Sequence, residues 1–324
     1  MIEKFTRSDI RLMAIWFCIA IISLVIVQTS FTKVFPDASI KMDVNKEQAQ
    51  AKAKAFLANR GHDISEYMHG QKFGYRNDAK EFLEFELSPD SAGAILNNTN
   101  SYYWRNRWFI PEQKEEFYVK ISTTGHLAEF DHRIDEDAPG DSLSEEKALN
   151  IAKFFLGGVM SIDVNNWDLE DKNIEKLNNR WDHEFEWKEK IFNINEGTHR
   201  ITVKVQGGEV DYYKEWIKVP DTWKRKYAKI RSNNNLLGQM GGLLTALTIF
   251  GIFIMIFVRT RKQDIRWKTA FKWGALLGVL ILLNNLNRLP LSMYGFDNKD
   301  SYVSFLTQVI LFRTLLGPLF VSFF

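Results

Sequence analysis

Cysteine is almost absent from this sequence. The single cysteine among 324 residues, Cys18, lies in the first apolar segment, so the chain can form neither an internal disulfide nor a cysteine-based zinc site. The motifs HExxH, GxSxG, GxGxxG and the phosphate-binding loop are also missing, and the six histidines form no compact cluster with metal-ligand spacing. These absences predict a chain with no metal, no cofactor and no catalytic residue of its own.

A strong excess of charge of one sign is lacking as well. The 42 lysines and arginines nearly balance the 40 aspartates and glutamates, which leaves a net charge of +2. This charge is too small to indicate a nucleic-acid partner. Hydrophobic residues make up 45% of the chain, as in an ordinary soluble protein. They are concentrated at the two ends of the chain, however. The average composition therefore conceals two apolar ends and a polar middle.

Four apolar runs approach or exceed the length that crosses a membrane, since a helix needs about 20 apolar residues to span the hydrocarbon. The first, Leu12–Val27, is followed by no small-residue cleavage site, so we interpret residues 12–31 as an uncleaved anchor rather than a signal peptide. Three more runs lie within residues 236–324: Leu236–Val258, Ala270–Leu286 and Tyr302 to the terminus. The last run ends without a polar residue to anchor it, so we expect the final helix to be truncated.

Basic residues next to these runs predict the topology. Arg259, Arg261 and Lys262 follow the second long run in a short connection, and such clusters stay in the cytoplasm. Residues 1–11, which carry further basic residues, are then cytoplasmic, and the long segment at about 32–235 lies outside. The sequence therefore predicts a multi-pass membrane protein with the lipid bilayer as a partner. The stretch Asn287–Ser301 is predicted to be a second external segment, a loop.

The polar middle of the chain contains an internal repeat. The stretch NKEQAQAKAKAFL at residues 45–57 aligns without gaps on SEEKALNIAKFFL at residues 144–156, and in both copies alanine and phenylalanine recur at helical spacing. Each predicted helix is followed by an alternating pattern with glycine at a turn, EEFYVKISTTGHLAEF and HRITVKVQGGEVDYY, which is typical of a β-hairpin. Each copy is therefore predicted to be an α+β unit, a helix packed on antiparallel strands.

The repeat divides the outer segment into residues 32–140 and 141–218. The boundary lies in the acidic stretch Asp135–Ser142, which contains proline and glycine. Further strands are predicted where apolar residues alternate with glutamate, at Leu83, Phe85 and Leu87 in the first unit and at Phe185 and Trp187 in the second. The predicted fold is an extracytoplasmic α+β region of two repeats, joined to transmembrane helices.

Residues 219–235 connect the outer segment to the second long apolar run. Trp223, Tyr227 and Ile230 recur there at helical spacing, with lysine and arginine around them. This pattern predicts an amphipathic helix that rests at the membrane interface.

One stretch of the outer segment, SYYWRNRWF at residues 101–109, mixes aromatic and basic residues. Exposed aromatic and arginine side chains make binding hot spots, so this stretch is a candidate surface for a protein or peptide partner. A strand whose aromatic residues complete the core is the alternative interpretation. The candidate binding residues are Tyr102, Trp104, Arg105, Arg107 and Trp108.

The helix-then-hairpin unit resembles the PepSY module of bacterial envelope proteins. Six further stretches are spread along most of the chain: FPDASI, RWF-P-QKEEF-V, EDAPG, EWIKVPDTW, DIRWKTAF and NRLPLSMYGFD. On these stretches the whole chain resembles the N-terminal part of large bacterial membrane proteins of the CPBP family, the intramembrane proteases related to CAAX-processing enzymes. The resemblance implies a location in the bacterial cytoplasmic membrane, and peptide-bond hydrolysis within the bilayer by a glutamate-activated water.

The catalytic motifs of that family do not occur in the spans of this chain. The family carries a Glu-Glu pair followed by arginine on one span, whereas here Glu115 and Glu116 lie in a polar strand and Lys120 follows them. The resemblance therefore implies the non-catalytic front end of an intramembrane endopeptidase, with the catalytic spans beyond residue 324. The alternative hypothesis is a non-enzymatic envelope sensor or protease-inhibitor-like binding protein built from PepSY-like units.

Three polar residues fall within the predicted spans. Arg313 lies near the middle of the last apolar run, where a charge costs about 2.5–3.5 kcal/mol on insertion scales and usually faces the protein interior. The other two, Asn284 and Asn285, are polar but uncharged. We expect Arg313 to pair with a carboxylate on a span that this chain does not contain.

Overall fold

The computed structural model describes residues 6–34, 40–263 and 265–316. The helices are α1 (Arg7–Val34), α2 (Lys46–Asn59), α3 (Asn77–Glu86), α4 (Pro89–Asn98), α5 (Glu145–Phe154), α6 (Asp221–Arg261), α7 (Trp267–Tyr294) and α8 (Tyr302–Leu306), the last continuing as a π-helix over Thr307–Leu316. The strands are β1 (Met68–Tyr75), β2 (Tyr102–Phe109), β3 (Glu116–Ser122), β4 (Leu127–Arg133), β5 (Trp167–Lys176), β6 (Trp181–Glu189), β7 (Thr198–Gln206) and β8 (Glu209–Lys218).

The eight antiparallel strands form a single sheet in the order β1-β2-β3-β4-β8-β7-β6-β5. The two halves of the sheet join where β4 lies beside β8, with Phe130 opposite Tyr213. Both predicted hairpins are present, β3–β4 and β7–β8. Their turns place Gly125 and Gly208 at φ values of +93° and +110°, a left-handed conformation that glycine adopts without strain. The strand predicted around residues 185–187 is confirmed as part of β6.

Helices α2 and α5 cover one face of the sheet, which makes this part of the chain α+β as predicted. The alanine stripe of each helix is fully buried, with Ala49 and Ala53 in α2 and Ala148 and Ala152 in α5. The strands contribute the large side chains of this core: Val119, Phe130, Phe185, Trp187, Val203 and Tyr213. Because residues from both sides of the predicted boundary share the core, residues 40–218 fold around one sheet.

The strand predicted at Leu83, Phe85 and Leu87 is wrong, because Leu83 and Phe85 belong to helix α3 and Leu87 follows it. These residues alternate with glutamate, but Ala79, Phe82 and Leu83 also recur at helical spacing. Ala79, Phe82 and Leu83 are fully buried. The helix forms because it places these three side chains on one face, against the sheet, α4 and α6.

The helix predicted over residues 219–235 is present and runs directly into the second long apolar run. All but the first two of these residues belong to α6, a single helix of 41 residues, which is about 60 Å long at 1.5 Å per residue. Its aromatic face packs on protein. The ring of Trp223 lies edge-on to Phe82 with 5.2 Å between centroids and stacks on Tyr227 at 4.6 Å, and its indole N–H donates to Glu86 at 2.8 Å. Helix α3 supplies the apolar partner that the prediction assigned to lipid.

Among residues 6–34, 40–263 and 265–316, three helices are long and apolar enough to cross a membrane, by their length and composition: Arg7–Phe31, Asp221–Arg261 and Trp267–Tyr294. A shorter apolar helix covers Tyr302–Phe312. The external loop predicted at Asn287–Ser301 is wrong in its first half, because α7 runs through Pro290 to Tyr294. The last turn of α7 packs on β1, and this contact extends the helix beyond its apolar part. The end of the last predicted span, residues 317–324, lies outside the described residues.

Candidate functional site

The second face of the sheet is polar and forms one wall of a groove. Because side chains alternate along a strand, β8 turns Tyr212, Lys214 and Trp216 to the side opposite the buried Tyr213. Together with residues 294–299, which end and follow α7, this face encloses a groove of about 1230 Å³. Charges of both signs and aromatic rings line it: Arg107, Glu116, Tyr118, Asp131, Arg133, Glu184, Glu186, Lys204, Tyr212, Lys214, Trp216 and Lys299.

The end of α7 lies directly against β1, at the side of this groove. A Cβ atom added to Gly70 would stand 2.6 Å from the Cα of Tyr294, so the two backbones can approach this closely only because residue 70 is glycine. The Nζ of Lys72 lies 4.3 Å from the ring centroid of Tyr294, a distance at which a cation is attracted to an aromatic face. The sheet is therefore seated on the end of a membrane-length helix.

Arg107 joins the sheet to the chain that follows α7. Its Nε and Nη2 donate to Oε2 of Glu116 at 2.8 and 2.6 Å. Its Nη1 donates to the carbonyl oxygen of Tyr294 at 3.1 Å and to that of Phe296. The planar guanidinium presents its donors as a fork, so one side chain binds a carboxylate and two carbonyl oxygens together. We call Arg107, Glu116 and the carbonyl groups of Tyr294 and Phe296 the clasp.

Glu116 is the acceptor at the centre of the clasp. Its second oxygen, Oε1, accepts from the hydroxyl of Tyr118 at 3.0 Å and from Arg133 at 3.2 Å. Burial raises the pKa of Tyr118, so this hydroxyl keeps its proton and remains a donor. On the loop side, the amide of Asn298 donates to the carbonyl oxygen of Gln113 at 3.0 Å. These bonds hold the loop after α7 in place along the groove.

A second buried carboxylate on this face, Glu129, is surrounded by several cations. It lies 3.3 Å from Arg76 and 2.5 Å from Lys120, and Lys214 is directly opposite it in the register of β4 and β8. Burial alone would raise the pKa of Glu129, but Lys120 and Arg76 hold that pKa below its usual value. Burial lowers the pKa of Lys120 to about 8 in spite of Glu129. Glu129 is therefore engaged by two cations and has a third, Lys214, as its neighbour across the sheet.

The structure divides the predicted binding residues between the two faces of β2. Tyr102 and Trp108 are each 1% exposed, and Trp108 stacks on His69 with 4.7 Å between ring centroids. Trp104 is half-buried, and its indole donates to the carbonyl oxygen of Val44 at 3.0 Å. The prediction that these three aromatic residues form an exposed binding surface is wrong, because this side of β2 faces the helices. The alternative interpretation, aromatic residues that complete the core, describes them correctly.

Arg105 and Arg107, the other two predicted residues, turn to the polar face. The guanidinium of Arg105 lies 5.2 Å from the ring centroid of Tyr103, whereas Arg107 lines the groove. The residues of β8 that line the groove were missed by sequence reasoning. The alternation in EVDYYKEWIK could have predicted them. Every second residue of that stretch is turned away from the core and so lies on the polar face of the sheet.

The structure describes the side chains of two of the three predicted intramembrane residues, Asn284 and Asn285 on α7. Asn284 is exposed, and Asn285 is half-buried beside a second cavity of about 1040 Å³ that also includes Arg288 and Gln308. The side chain of Arg313 lies outside the described residues. Its pairing with a carboxylate therefore stays a prediction.

Two histidines lie between pairs of carboxylates. Nδ1 of His199 lies 2.7 Å from Glu189 and Nε2 lies 3.0 Å from Glu215. Burial would lower the pKa of His199, but these two carboxylates raise it to about 9. His132 lies between two carboxylates in the same way, and they raise its pKa against the effect of burial. Across residues 6–34, 40–263 and 265–316, no group of three or more His, Cys, Asp or Glu could hold a metal ion.

Comparison with protein-family models, with curated proteins and with solved structures finds no match to this chain. The function is therefore inferred from the groove, the clasp and the long apolar helices.

Proposed function

We propose that this chain is a membrane-anchored polypeptide-binding protein of the bacterial envelope. In this proposal the groove holds an extended segment of another protein outside the cytoplasmic membrane. The observation that supports the proposal is that two parts of the chain line the groove. One wall is the polar face of the sheet, and the other is formed by residues 294–299 at the end of α7. A segment bound there contacts the outer domain and the end of a membrane-length helix at the same time.

The chemistry of the groove favours a polypeptide over a small molecule. Its volume of about 1230 Å³ exceeds the roughly 300–1,000 Å³ of typical small-molecule sites. Tyrosine, tryptophan and arginine, which are enriched where proteins bind each other, line it as Tyr118, Tyr212, Trp216 and Arg133. Charges of both signs suit a chain with mixed side chains and many backbone donors and acceptors.

The proposed topology follows from the apolar helices and the basic clusters. Helices α1, α6 and α7 cross the membrane, the N-terminus lies inside, and the sheet lies outside. Support comes from Arg259 and Arg261 at the far end of α6 from the sheet, because basic residues flanking a span stay in the cytoplasm. Helix α6 then rises about 20 Å above the membrane over its first 15 or so residues, at 1.5 Å per residue.

We further propose that the outer domain arose by duplication of one unit, a helix and four strands. The strand order supports this proposal, because β1-β2-β3-β4 is followed across the sheet by β8-β7-β6-β5, the same succession in reverse. In each half the helix precedes its four strands, α2 in the first and α5 in the second. Helices α3 and α4 are then an insertion between β1 and β2.

Two functions share this binding step and differ in the fate of the bound segment. In the first, suggested by the resemblance to the CPBP family, the groove receives the substrate of an intramembrane endopeptidase whose catalytic helices lie outside this chain. In the second, the protein is an envelope sensor or inhibitor. In both functions the clasp links binding in the groove to the position of α7. A ligand beside Arg107 also lies beside the carbonyl groups of Tyr294 and Phe296, at the end of that helix.

The test measures binding of short fluorescent peptides of randomised sequence to the full chain in lipid nanodiscs. We expect binding that weakens at least about tenfold on Tyr212→Ala, because aromatic anchors in a groove carry much of the binding energy. Tyr75→Ala removes an exposed tyrosine of β1 that does not line the groove and serves as the matched control. Absence of peptide binding, or equal binding by the Tyr212→Ala variant, would overturn the proposal.

A further inference from the structure

Lys214 is a cation on the floor of the groove that has no carboxylate partner among the described residues. It lies near the middle of β8, between β4 and β7 in the sheet, and it is half-buried. Its backbone neighbours across the sheet are Glu129 and Thr202. A charge at the centre of a sheet cannot swing into bulk water as freely as one on a loop, so its lack of a partner calls for an explanation.

Most other cations that line the groove are paired. Arg107 bonds to Glu116, and Arg133 lies 2.9 Å from Asp131. Lys204 lies 2.8 Å from Glu184, and Lys114 lies 3.7 Å from Asp135 and from Glu136. Within residues 6–34, 40–263 and 265–316, Lys299 is the other groove cation without an ion pair, but it is exposed on the loop. Lys214 therefore differs from the other cations in being both partly buried and unpaired.

The carboxylate across the sheet from Lys214 is that of Glu129, and Glu129 is already engaged. Arg76 and Lys120 both lie within ion-pair distance of it. Three cations thus surround one carboxylate on this part of the sheet. Burial lowers the pKa of Lys214 and the charge of Arg76 lowers it further, whereas the more distant charges of Glu129, Asp78 and Glu186 oppose this shift without forming an ion pair with Lys214. A ligand carboxylate within hydrogen-bond distance of Nζ would give Lys214 the ion pair that it lacks among the described residues.

Two aromatic side chains flank Lys214 on the same face of β8. The Nζ of Lys214 lies 4.9 Å from the ring centroid of Trp216, whose indole N–H donates to Thr202 at 3.1 Å and so fixes the ring. On the other side is Tyr212, whose hydroxyl makes no hydrogen bond to the part of the chain that the structure describes. Burial raises the pKa of Tyr212, so this hydroxyl is a donor that points into the groove lining.

We infer that Lys214 and Tyr212 form a subsite for a carboxylate group of the polypeptide bound in the groove. The carboxylate comes from an acidic side chain or from the C-terminus of the bound segment. An ammonium and a hydroxyl give one full charge and two kinds of donor, which match a single carboxylate. This inference rests on the proposed function, since it names which polypeptides the groove prefers.

The experiment uses three versions of one fluorescent peptide that binds the full chain in nanodiscs of uncharged lipid. One version carries an internal glutamate and an amidated end, one carries glutamine and a free C-terminus, and one carries glutamine and an amidated end. We expect one of the two acidic versions to bind about tenfold more tightly than the neutral version, and the comparison identifies the carboxylate. Lys214→Gln removes this preference and Lys214→Arg retains it.

Lys218→Gln, at the exposed end of β8, is the matched control and leaves the preference unchanged. Thermal unfolding of the Lys214→Gln variant establishes that it is folded. Equal affinity for all three peptides, with or without Lys214→Gln, would overturn the subsite while the peptide groove stands. Failure of every peptide to bind would overturn the proposed function itself. Displacement of the acidic peptide by anionic lipid in the nanodisc, lost on Lys214→Gln, would assign the subsite to a lipid headgroup and reject the inference.

Discussion

The guanidinium of Arg107 donates a hydrogen bond of 3.1 Å to the carbonyl oxygen of Tyr294, across 187 positions of sequence. Arg107 belongs to the second strand of the sheet, and Tyr294 is the last residue of a membrane-length helix. The same side chain is bound to Glu116 within the sheet. A displacement of the end of α7 therefore acts directly on a buried ion pair of the sheet.

The clasp predicts that Arg107→Lys loosens the loop after α7. Lysine keeps the positive charge but has no planar fork, so it cannot bind Glu116 and both carbonyl oxygens together. We expect a loss of about 2 kcal/mol in unfolding free energy, since hydrogen bonds that involve charged groups contribute about 1.5–3 kcal/mol each. Hydrogen exchange of residues 295–299 should become faster. Arg105→Lys, two positions earlier on the same face, is the control, and equal exchange in all three proteins would contradict the prediction.

The contact of β1 with α7 predicts that Gly70→Ala separates the sheet from the helix end. The added methyl group would lie 2.6 Å from the Cα of Tyr294, so one of the two backbones has to shift. Gly157→Ala is the control, because a Cβ there has no atom within 4 Å. Hydrogen exchange of the backbone amides at residues 293–296, where α7 ends, reports the separation by its rate. An unchanged rate in the Gly70→Ala protein would count against the contact.

His199 predicts a loss of stability at alkaline pH. The ring binds its proton more tightly in the folded state, where its pKa is about 9, than in the unfolded chain, where the value is about 6.5. Its contribution to stability is therefore complete below about pH 6.5 and is lost as the pH rises through about 9. Lys120, whose folded pKa of about 8 lies below its usual value, acts in the opposite direction at higher pH.

A comparison of variants isolates the contribution of His199. The difference in urea-unfolding free energy between the wild-type protein and His199→Gln should be largest near about pH 6 and should shrink towards about pH 9. His126→Gln, at an exposed turn, should give no such trend. A difference that stays constant across this range would show that the proton of His199 is not linked to folding.

The packing of α6 on α3 predicts that Trp223→Ala weakens the contact between these two helices. The indole is 9% exposed, stacks on Tyr227 and bonds to Glu86. We expect a loss of about 3 kcal/mol, the lower end of values for removing a buried tryptophan. Ile230→Ala, at a position on the same helix that is 47% exposed, should change stability by less than about 0.5 kcal/mol. Similar thermal midpoints for the two variants would contradict the packing argument.

The proposed topology predicts opposite labelling at the two ends of α6. In a Cys18→Ser background, Lys153→Cys places a thiol on the exposed end of α5, and Lys262→Cys places one just after α6. A membrane-impermeant maleimide added to intact cells with a permeable outer envelope should label the first thiol. The second should react only after the membrane is opened. Labelling of both thiols in intact cells would reject the topology.

Local sequence patterns predicted most helices and strands but not what each of them packs against. The two hairpins and the alanine stripes of α2 and α5 were predictable, because alternation and helical spacing depend on residues a few positions apart. The same rules failed at Leu83, where a strand pattern and a helix pattern overlap and burial against α6 selects the helix. They also ended α7 too early, since its last turn is held by β1 rather than by its own apolar residues.

The sequence by itself determined which segments are apolar and where the two hairpins turn. It also determined that residues 45–57 and 144–156 repeat one pattern. The tertiary structure alone decided which face of β2 each residue of SYYWRNRWF occupies, and it moved the candidate site from the aromatic residues to Arg107 and β8. The physical reason is the separation along the chain of the residues that interact. Secondary structure follows from neighbours along the chain, whereas the clasp and the unpaired charge of Lys214 arise from strands and loops that meet only when the sheet closes.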